Sequence, residues 1–291
     1  MGTDVRQILR EMGLSRHYRP RQHSVVWHTP PKNWRDELLE SLRVFQGSPI
    51  PHIYFRADDI AAGGRAFNAM CEVFRSHQVP LAMAVVPAWL SEVRSRQLFE
   101  AAPLGESLWG WHQHGWRHVN WERSGKKSEF GEQRPIDKQW RDIWQGRKKM
   151  HDIFKDHLVR VFTPPWNRLS TSTLRILQEL GFQGVSLMKV FPRGIKPPIT
   201  LKNLRITLDL HTRKGKDAER DFSELSNELC TALGKREPVG IMLHHQRMTH
   251  FAFEYLDELL TILRQLLQGH FLSFKDLLGQ DHDEQACSGL R

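Results

Sequence analysis

The sequence predicts an α/β protein: a (β/α)7-8 barrel with its active site at the C-terminal strand ends. Three observations carry that expectation. Short apolar runs alternate with helix-length segments along the 291 residues, which calls for a parallel sheet with helices outside. Seven or eight such repeats suit a closed barrel better than an open sheet. Aspartates and histidines collect where the strands end, the face that carries the site in a βα barrel.

In chain order, residues 1–46 read as an N-terminal extension, broken by Arg19-Pro20-Arg21 and Thr29-Pro30-Pro31. It holds one short helix with Leu38, Leu39, Leu42 and Phe45 on one face. The barrel domain is expected over residues 47–279. Its first strand is Ile53-Tyr54-Phe55, ending in Arg56-Ala57-Asp58-Asp59, and a helix carrying Phe67, Met70, Cys71 and Phe74 follows Gly63-Gly64. Val79 to Val86 is almost continuously apolar and closed by Pro87, as a strand buried on both faces should be. A helix from Ser91 leads to the strand Leu108–Trp111. Residues 122–136 form a long polar loop, the kind that serves as a lid or binding loop.

A helix then runs from Asp137 to the neighbourhood of Phe154, followed by the strand Val159–Phe162. Ser170 caps a helix that Gly181 stops, and Val185–Leu187 is a short strand. A Pro/Gly-rich loop at 191–198 precedes the strand Leu204–Leu210. Helix 218–233, strand Val239–Leu243, helix 251–267 and a last short strand, Phe271–Ser273, complete the barrel. Residues 280–291 read as a disordered tail.

Hydrophobic residues make up 40% and charged residues 26%, the balance of a soluble globular protein. No apolar run approaches the ~20 residues of a membrane span. The first residues lack an apolar signal core, which points to the cytoplasm. Cys71, Cys230 and Cys287, far apart and odd in number, read as reduced thiols. A net charge of +9 raises the question of nucleic acid. The basic residues are scattered, however, and no nucleic-acid motif occurs; an anionic glycan or lipid-linked substrate suits the charge as well, and a basic soluble surface suits it best.

The densest chemistry lies in Leu108–Trp121, where three histidines and four tryptophans fall within fourteen residues. Imidazole is the usual neutral nitrogen ligand for a catalytic divalent metal. His114 and His118, four apart, can be aimed at one point by a single turn. His112 shares a face with His114 if the chain is extended, and is a reserve ligand. Two histidines and one carboxylate with an open position make a hydrolytic metal site, with zinc the default and cobalt, nickel or iron also fitting. Asp58-Asp59 can divide between ligand and base, because neighbours on an extended chain face opposite sides. His244, on a distant strand end, is a candidate general acid.

Arg56-Ala57-Asp58-Asp59, His114-Gly115-Trp116-Arg117-His118, Thr163-Pro164-Pro165-Trp166-Asn167, Asp209 and Ile241-Met242-Leu243-His244 resemble, in order, the five motifs of the polysaccharide deacetylases. Those enzymes share the nodulation-type chitooligosaccharide deacetylase domain. The resemblance covers residues 50–275 or so. It implies a distorted (β/α)7-8 barrel and a metal-dependent hydrolase that removes an acetyl group from an N-acetylated sugar or glycan precursor, with such a carbohydrate as partner. It further implies Asp58 as the base and Asp59, His114 and His118 as metal ligands. By the same resemblance a backbone N–H at Trp166 serves the oxyanion, His244 is the acid, and Asp209 is the carboxylate that orients it.

The departures mark a divergent subgroup. Arg56, Ala57 and Ile60 flank the aspartates where the family reads Thr-Phe-Asp-Asp-Gly, Gly115 replaces a Ser or Thr, and His245 replaces a common aspartate. Thr163 stands where the family has an arginine that tethers the catalytic aspartate. Arg56 leaves the same strand face as Asp58 and is expected to fork onto that carboxylate in its place. Arg168 and Arg117 are next in line. Two other readings remain in view: a metal hydrolase of another amide or ester, and a carbohydrate-binding module in which tryptophans stack on sugar rings.

Overall fold

A computed structural model of the chain describes residues 4–21, 24–191, 195–196 and 199–279. Eight strands form one sheet: β1 (Ile53–Ile60), β2 (Leu81–Val85), β3 (Trp109–His114), β4 (Leu158–Thr163), β5 (Gly184–Val185), β6 (Lys202–Asn203), β7 (Ile206–Asp209) and β8 (Val239–Leu243). Their order is β6-β5-β4-β3-β2-β1-β8-β7, and all the pairings are parallel. β2 and β8 are buried at every residue, as their unbroken apolar sequences require.

The two ends of that order, β6 and β7, are separated in the chain only by Leu204 and Arg205. The segment through them therefore joins the ends and curls the sheet into a distorted barrel. Leu204 N–H donates to Val185 O, and Ile206 N–H donates to Leu187 O. The strand expected over Leu204–Leu210 is observed as the shorter β7 over Ile206–Asp209, and the two-residue β6 precedes it because the chain leaves β5 and crosses to β8 between them.

The helices are α1 (Val5–Glu11), α2 (Trp34–Arg43), α3 (Arg65–Ser76), α4 (Glu92–Ala101), α5 (Ile136–Phe154), α6 (Thr171–Glu179), α7 (Ala218–Leu233), α8 (His250–Thr261) and α9 (Phe274–Leu278). Ser91, Ser170, Asp217 and Thr249 cap α4, α6, α7 and α8, each side chain accepting an orphan N–H of the first turn. The expected strand Phe271–Ser273 does not form. Phe271 makes one isolated bridge to Ile53, and Ser273 instead builds a capping box with Asp276 that starts α9. The loop at 122–136 is not a free lid either, because Ser128, Glu129 and Phe130 at its centre are buried. Residues 192–194 and 197–198 of the Pro/Gly-rich loop, and the tail at 280–291, lie outside the described residues.

The described part of residues 1–46, expected to stand apart as an extension, contributes to the main core. Val5, Ile8, Leu9, Leu14, Val26, Trp27, Trp34, Leu38 and Leu42 join one hydrophobic cluster with residues of β1, β2, β8, α3, α7 and α8. Trp27 packs against Phe251 and Tyr255, and its carbonyl accepts from the Thr249 hydroxyl. No described helix is long and apolar enough to cross a membrane.

This packing makes the first segment a structural part of the barrel. Trp27→Ala is expected to lower stability by about 3–5 kcal/mol, the usual cost of truncating a buried aromatic. Denaturant unfolding followed by fluorescence and circular dichroism checks it: a barrel midpoint unmoved by the substitution would mean the segment folds apart.

Candidate metal centre

The site is built from the ends of β1, β3, β4 and β8, which the parallel sheet places at one end of the barrel. At the end of β1 the register with β2 slips between Ala57 and Ile60, and Asp59 takes a left-handed φ of 61°. Aspartate tolerates that region better than most residues. In a regular strand Asp58 and Asp59 would face opposite ways; the irregularity turns Asp59 to the histidines while Asp58 stays inside the barrel, 3% exposed.

β3 delivers His114, and the chain then turns at Gly115, φ 56°, to bring His118 back beside it. Asp59 Oδ1 lies 3.3 Å from His114 Nε2 and 3.2 Å from His118 Nε2. One ligand atom from each of the three residues falls within 4.8 Å of the others. The Asp59 Oδ1 atom is buried and makes no hydrogen bond of good geometry. His114 Nδ1 faces Thr163 O at 2.9 Å; a proton on Nδ1 bonds that carbonyl and leaves Nε2 with a free lone pair, the tautomer a ligand needs. The His118 ring is held edge-on by Trp166 at 4.4 Å and flanked by Trp89 at 5.8 Å.

Asp58 is gripped from the other side. Arg56 Nε donates to its Oδ1 at 2.7 Å and Arg56 Nη2 to its Oδ2 at 2.9 Å, the bidentate fork expected from their shared strand face. Burial alone would push the Asp58 carboxyl up, but Arg56, then His114 and His244, outweigh it and hold it below the usual carboxylate range. Asp59 is likewise depressed: burial raises it, and His114 with its neighbouring histidines more than reverses the effect.

Other expected residues fall differently. His112, the reserve ligand, is wholly buried, with Nδ1 against Gly110 O at 3.1 Å and Nε2 against Thr163 Oγ1 at 2.9 Å. Both ring nitrogens are thus engaged away from the cluster, and burial pushes its pKa down to about 3. Asp209 makes no hydrogen bond to His244. It accepts from the N–H groups of His211 at 3.1 Å and Thr212 at 3.0 Å and from the Thr212 hydroxyl, closing its own turn as aspartates at strand ends do. The residue that meets His244 is His211, whose Nδ1 accepts the His244 N–H at 3.1 Å. His244 itself is buried with Nδ1 unbonded, near enough for its charge to act on both aspartates.

His245 is buried too, and burial pushes it down to about 3. Arg117 and Arg168, the reserves for Arg56, point elsewhere: Arg168 donates to Lys127 O, and Arg117 is exposed with its backbone N–H on Glu129. Trp166 adopts a left-handed φ of 58° at the mouth.

Two contributors were not legible in the sequence. Asn167 accepts from Arg56 Nη2 at 2.8 Å, completing the guanidinium's shell. Glu129, on the supposed lid, accepts the backbone N–H groups of Trp116 at 3.3 Å, Arg117 at 2.7 Å and His118 at 3.0 Å. Its only sequence signal is one glutamate among three in a polar loop, with Glu122 and Glu132, and it carries no spacing to the histidines.

The fold and the cluster together define a parallel βα barrel with an Asp-His-His group at its mouth. Comparison with protein-family models and with curated proteins finds no match. Among solved structures the chain is similar to a candidate polysaccharide deacetylase from Mycobacterium smegmatis, at 14% identity and TM-score 0.57, covering 80% of this chain and 91% of that one. It is also similar to a family 4 acetyl xylan esterase from Clostridium thermocellum solved with a cobalt ion, at 13% identity and TM-score 0.50, over 79% and 91% of the two chains. A third is a mutant of a CE4 family pseudoenzyme with restored enzymatic activity, at 12% identity and TM-score 0.50, over 78% and 67%. The fold is that of the polysaccharide deacetylases.

The Arg56 fork yields a measurable consequence. Arg56→Met leaves the Asp58 carboxylate buried without its counter-charge and is expected to cost about 3–5 kcal/mol of stability. Arg56→Lys keeps the charge but not the planar fork and should fall between. Urea unfolding of the three proteins tests this, and equal midpoints would show that the pair contributes nothing.

Proposed function

We propose that the protein is a metal-dependent hydrolase that removes an acetyl group from an N-acetylated sugar or glycan precursor. The observation that carries the proposal is the buried Asp59 Oδ1 facing two imidazole Nε2 atoms, with Asp58 beside it held by Arg56. Two nitrogens and one carboxylate oxygen fit a divalent cation with open positions, and zinc is the default, with cobalt, nickel or iron compatible. Asp59, His114 and His118 would hold it. When bound, such an ion polarises the scissile carbonyl and acidifies the attacking water.

The chain's own groups account for the proton movements. Asp58, kept ionised and unable to swing away because both its oxygens are bonded to Arg56, takes the proton of the water. The oxyanion is met by the Trp166 backbone N–H. His244 returns a proton to the amine nitrogen as the carbon–nitrogen bond breaks and acetate leaves. Asp209 acts on His244 at one remove, by fixing the turn in which His211 accepts the His244 N–H.

Trp89 and Trp166, both in ring contact with His118, offer apolar faces to a sugar. The free thiols Cys71 and Cys230 support a reducing compartment and hence the cytoplasm. A second reading, cleavage of an acetyl ester, is favoured by the structural similarity to an acetyl xylan esterase; the same residues would serve it, with an alcohol as leaving group.

Metal analysis of the purified protein and acetate release from a panel of N-acetyl and O-acetyl sugars test the proposal. Asp59→Ala or His118→Ala should lose both metal and activity. Asp58→Asn should keep the metal and lower turnover by a factor on the order of 10² or more. A His118→Ala protein with full metal content, or an Asp58→Asn enzyme turning over like the parent, would overturn these assignments.

A further inference from the structure

The loop between the two histidine ligands has an unusual support. Gly115 carries no side chain, and the space where one would hang is filled: a Cβ there would meet Glu129 Oε2 at 2.4 Å and Pro165 Cδ at 2.6 Å. Gly115 also needs its left-handed φ of 56°, and His118 is itself left-handed at 59°. That conformation costs a histidine some free energy, which the surroundings must offset. Its constraint is the Glu129 carboxylate, fully buried, on which three successive N–H groups converge, those of Trp116, Arg117 and His118.

Glu129 is in turn fixed from several directions. Its own carbonyl accepts from Arg134, which pairs with the buried Asp142 of α5. Ser128 N–H donates to Asn120 Oδ1, Ser128 O accepts from Trp121 N–H, and Ser128 Oγ donates to Arg168 O. Phe130 O accepts from Ser170 N–H. The buried strap 128–130 thus ties the histidine loop to the chain beyond β4.

The geometry points to Glu129 as a positioning residue for the metal centre, setting cation affinity by holding the backbone that aims His118 at Asp59. This rests on the metal-site reading above, and goes beyond it in assigning the task to a residue outside the ligand set. Glu129 is not one of the three candidate ligands. It acts through three backbone bonds, so removing them loosens one ligand while leaving all three in the sequence. Partners that orient ligands in this way typically set metal affinity by a factor of about 10–100.

The test is a metal titration of apoprotein by calorimetry, with the visible spectrum of the cobalt(II) form as second readout. Glu129→Gln keeps the size of the side chain but replaces one acceptor oxygen by an NH2 group facing backbone donors. It should bind zinc and cobalt about 10–100-fold more weakly than the parent and shift the cobalt bands. Glu129→Asp, shorter but still anionic, should recover part of the affinity, and serves if the glutamine variant does not fold. His118→Ala is the control: it should lose the cation outright. Parental affinity and an unshifted cobalt spectrum in the glutamine variant, or in the aspartate variant where only that one folds, overturn the proposal while leaving the metal site standing, even if melting temperature falls. A parent protein that binds no cation overturns the site and the positioning role together.

Discussion

A guanidinium buried inside the barrel is the interaction on which the site depends. Arg56 is 0% exposed, and taking its charge out of water costs several kcal/mol unless nearly all of its donors are met. They are met: by both oxygens of Asp58, by Ser186 O at 3.1 Å and Ser186 Oγ at 2.7 Å, and by Asn167 Oδ1 at 2.8 Å. Those acceptors come from β1, from the turn after β5 and from the turn after β4. Ser186 Oγ passes the connection on to Leu204 O at 2.7 Å, at the seam where the segment between β6 and β7 closes the barrel. One cation therefore orients the candidate base and ties together the ends of β1, β4 and β5.

Around that centre, strained backbone does what regular structure cannot. Asp59, His118, Trp166 and Asn167 all adopt left-handed φ values, and all four stand at the mouth. Such residues cost free energy and persist only where the surroundings over-determine them. Here the surroundings can be named: the register slip after Ala57, the Glu129 carboxylate under residues 116–118, and Arg56 on Asn167. Asp59 and His118 are thereby turned toward each other, Trp166 lies against His118, and Asn167 reaches Arg56.

The N-terminal segment reaches the same place from outside. Trp27 lies edge-on to His211 at 5.0 Å, and His211 accepts the His244 N–H. Burial drives His211 well below its ordinary pKa, so its ring stays neutral and keeps an acceptor for that bond. The tryptophan that seals the core thus backs the residue that holds the candidate acid.

Much of the architecture follows from local sequence. Alternation of apolar runs with capped helices is written in periods that any reader of the chain can count, and a parallel barrel with its polar residues at strand ends is the packing that satisfies them. The spacing of His114 and His118 and the shared face of Arg56 and Asp58 were legible for the same reason: both depend only on the geometry of a few consecutive residues. The tertiary structure decided what depends on residues distant in sequence. It folded α1, α2 and Val26-Trp27 into the core, because an amphipathic helix with no partner nearby buries its face on whatever apolar surface the barrel leaves open. It gave His112 to Thr163 and Gly110, and kept Asp209 within its own turn. It brought Glu129 beneath the histidine loop, since a buried carboxylate goes where unpaired N–H groups converge, and that convergence exists only once β3, β4 and α5 are in place.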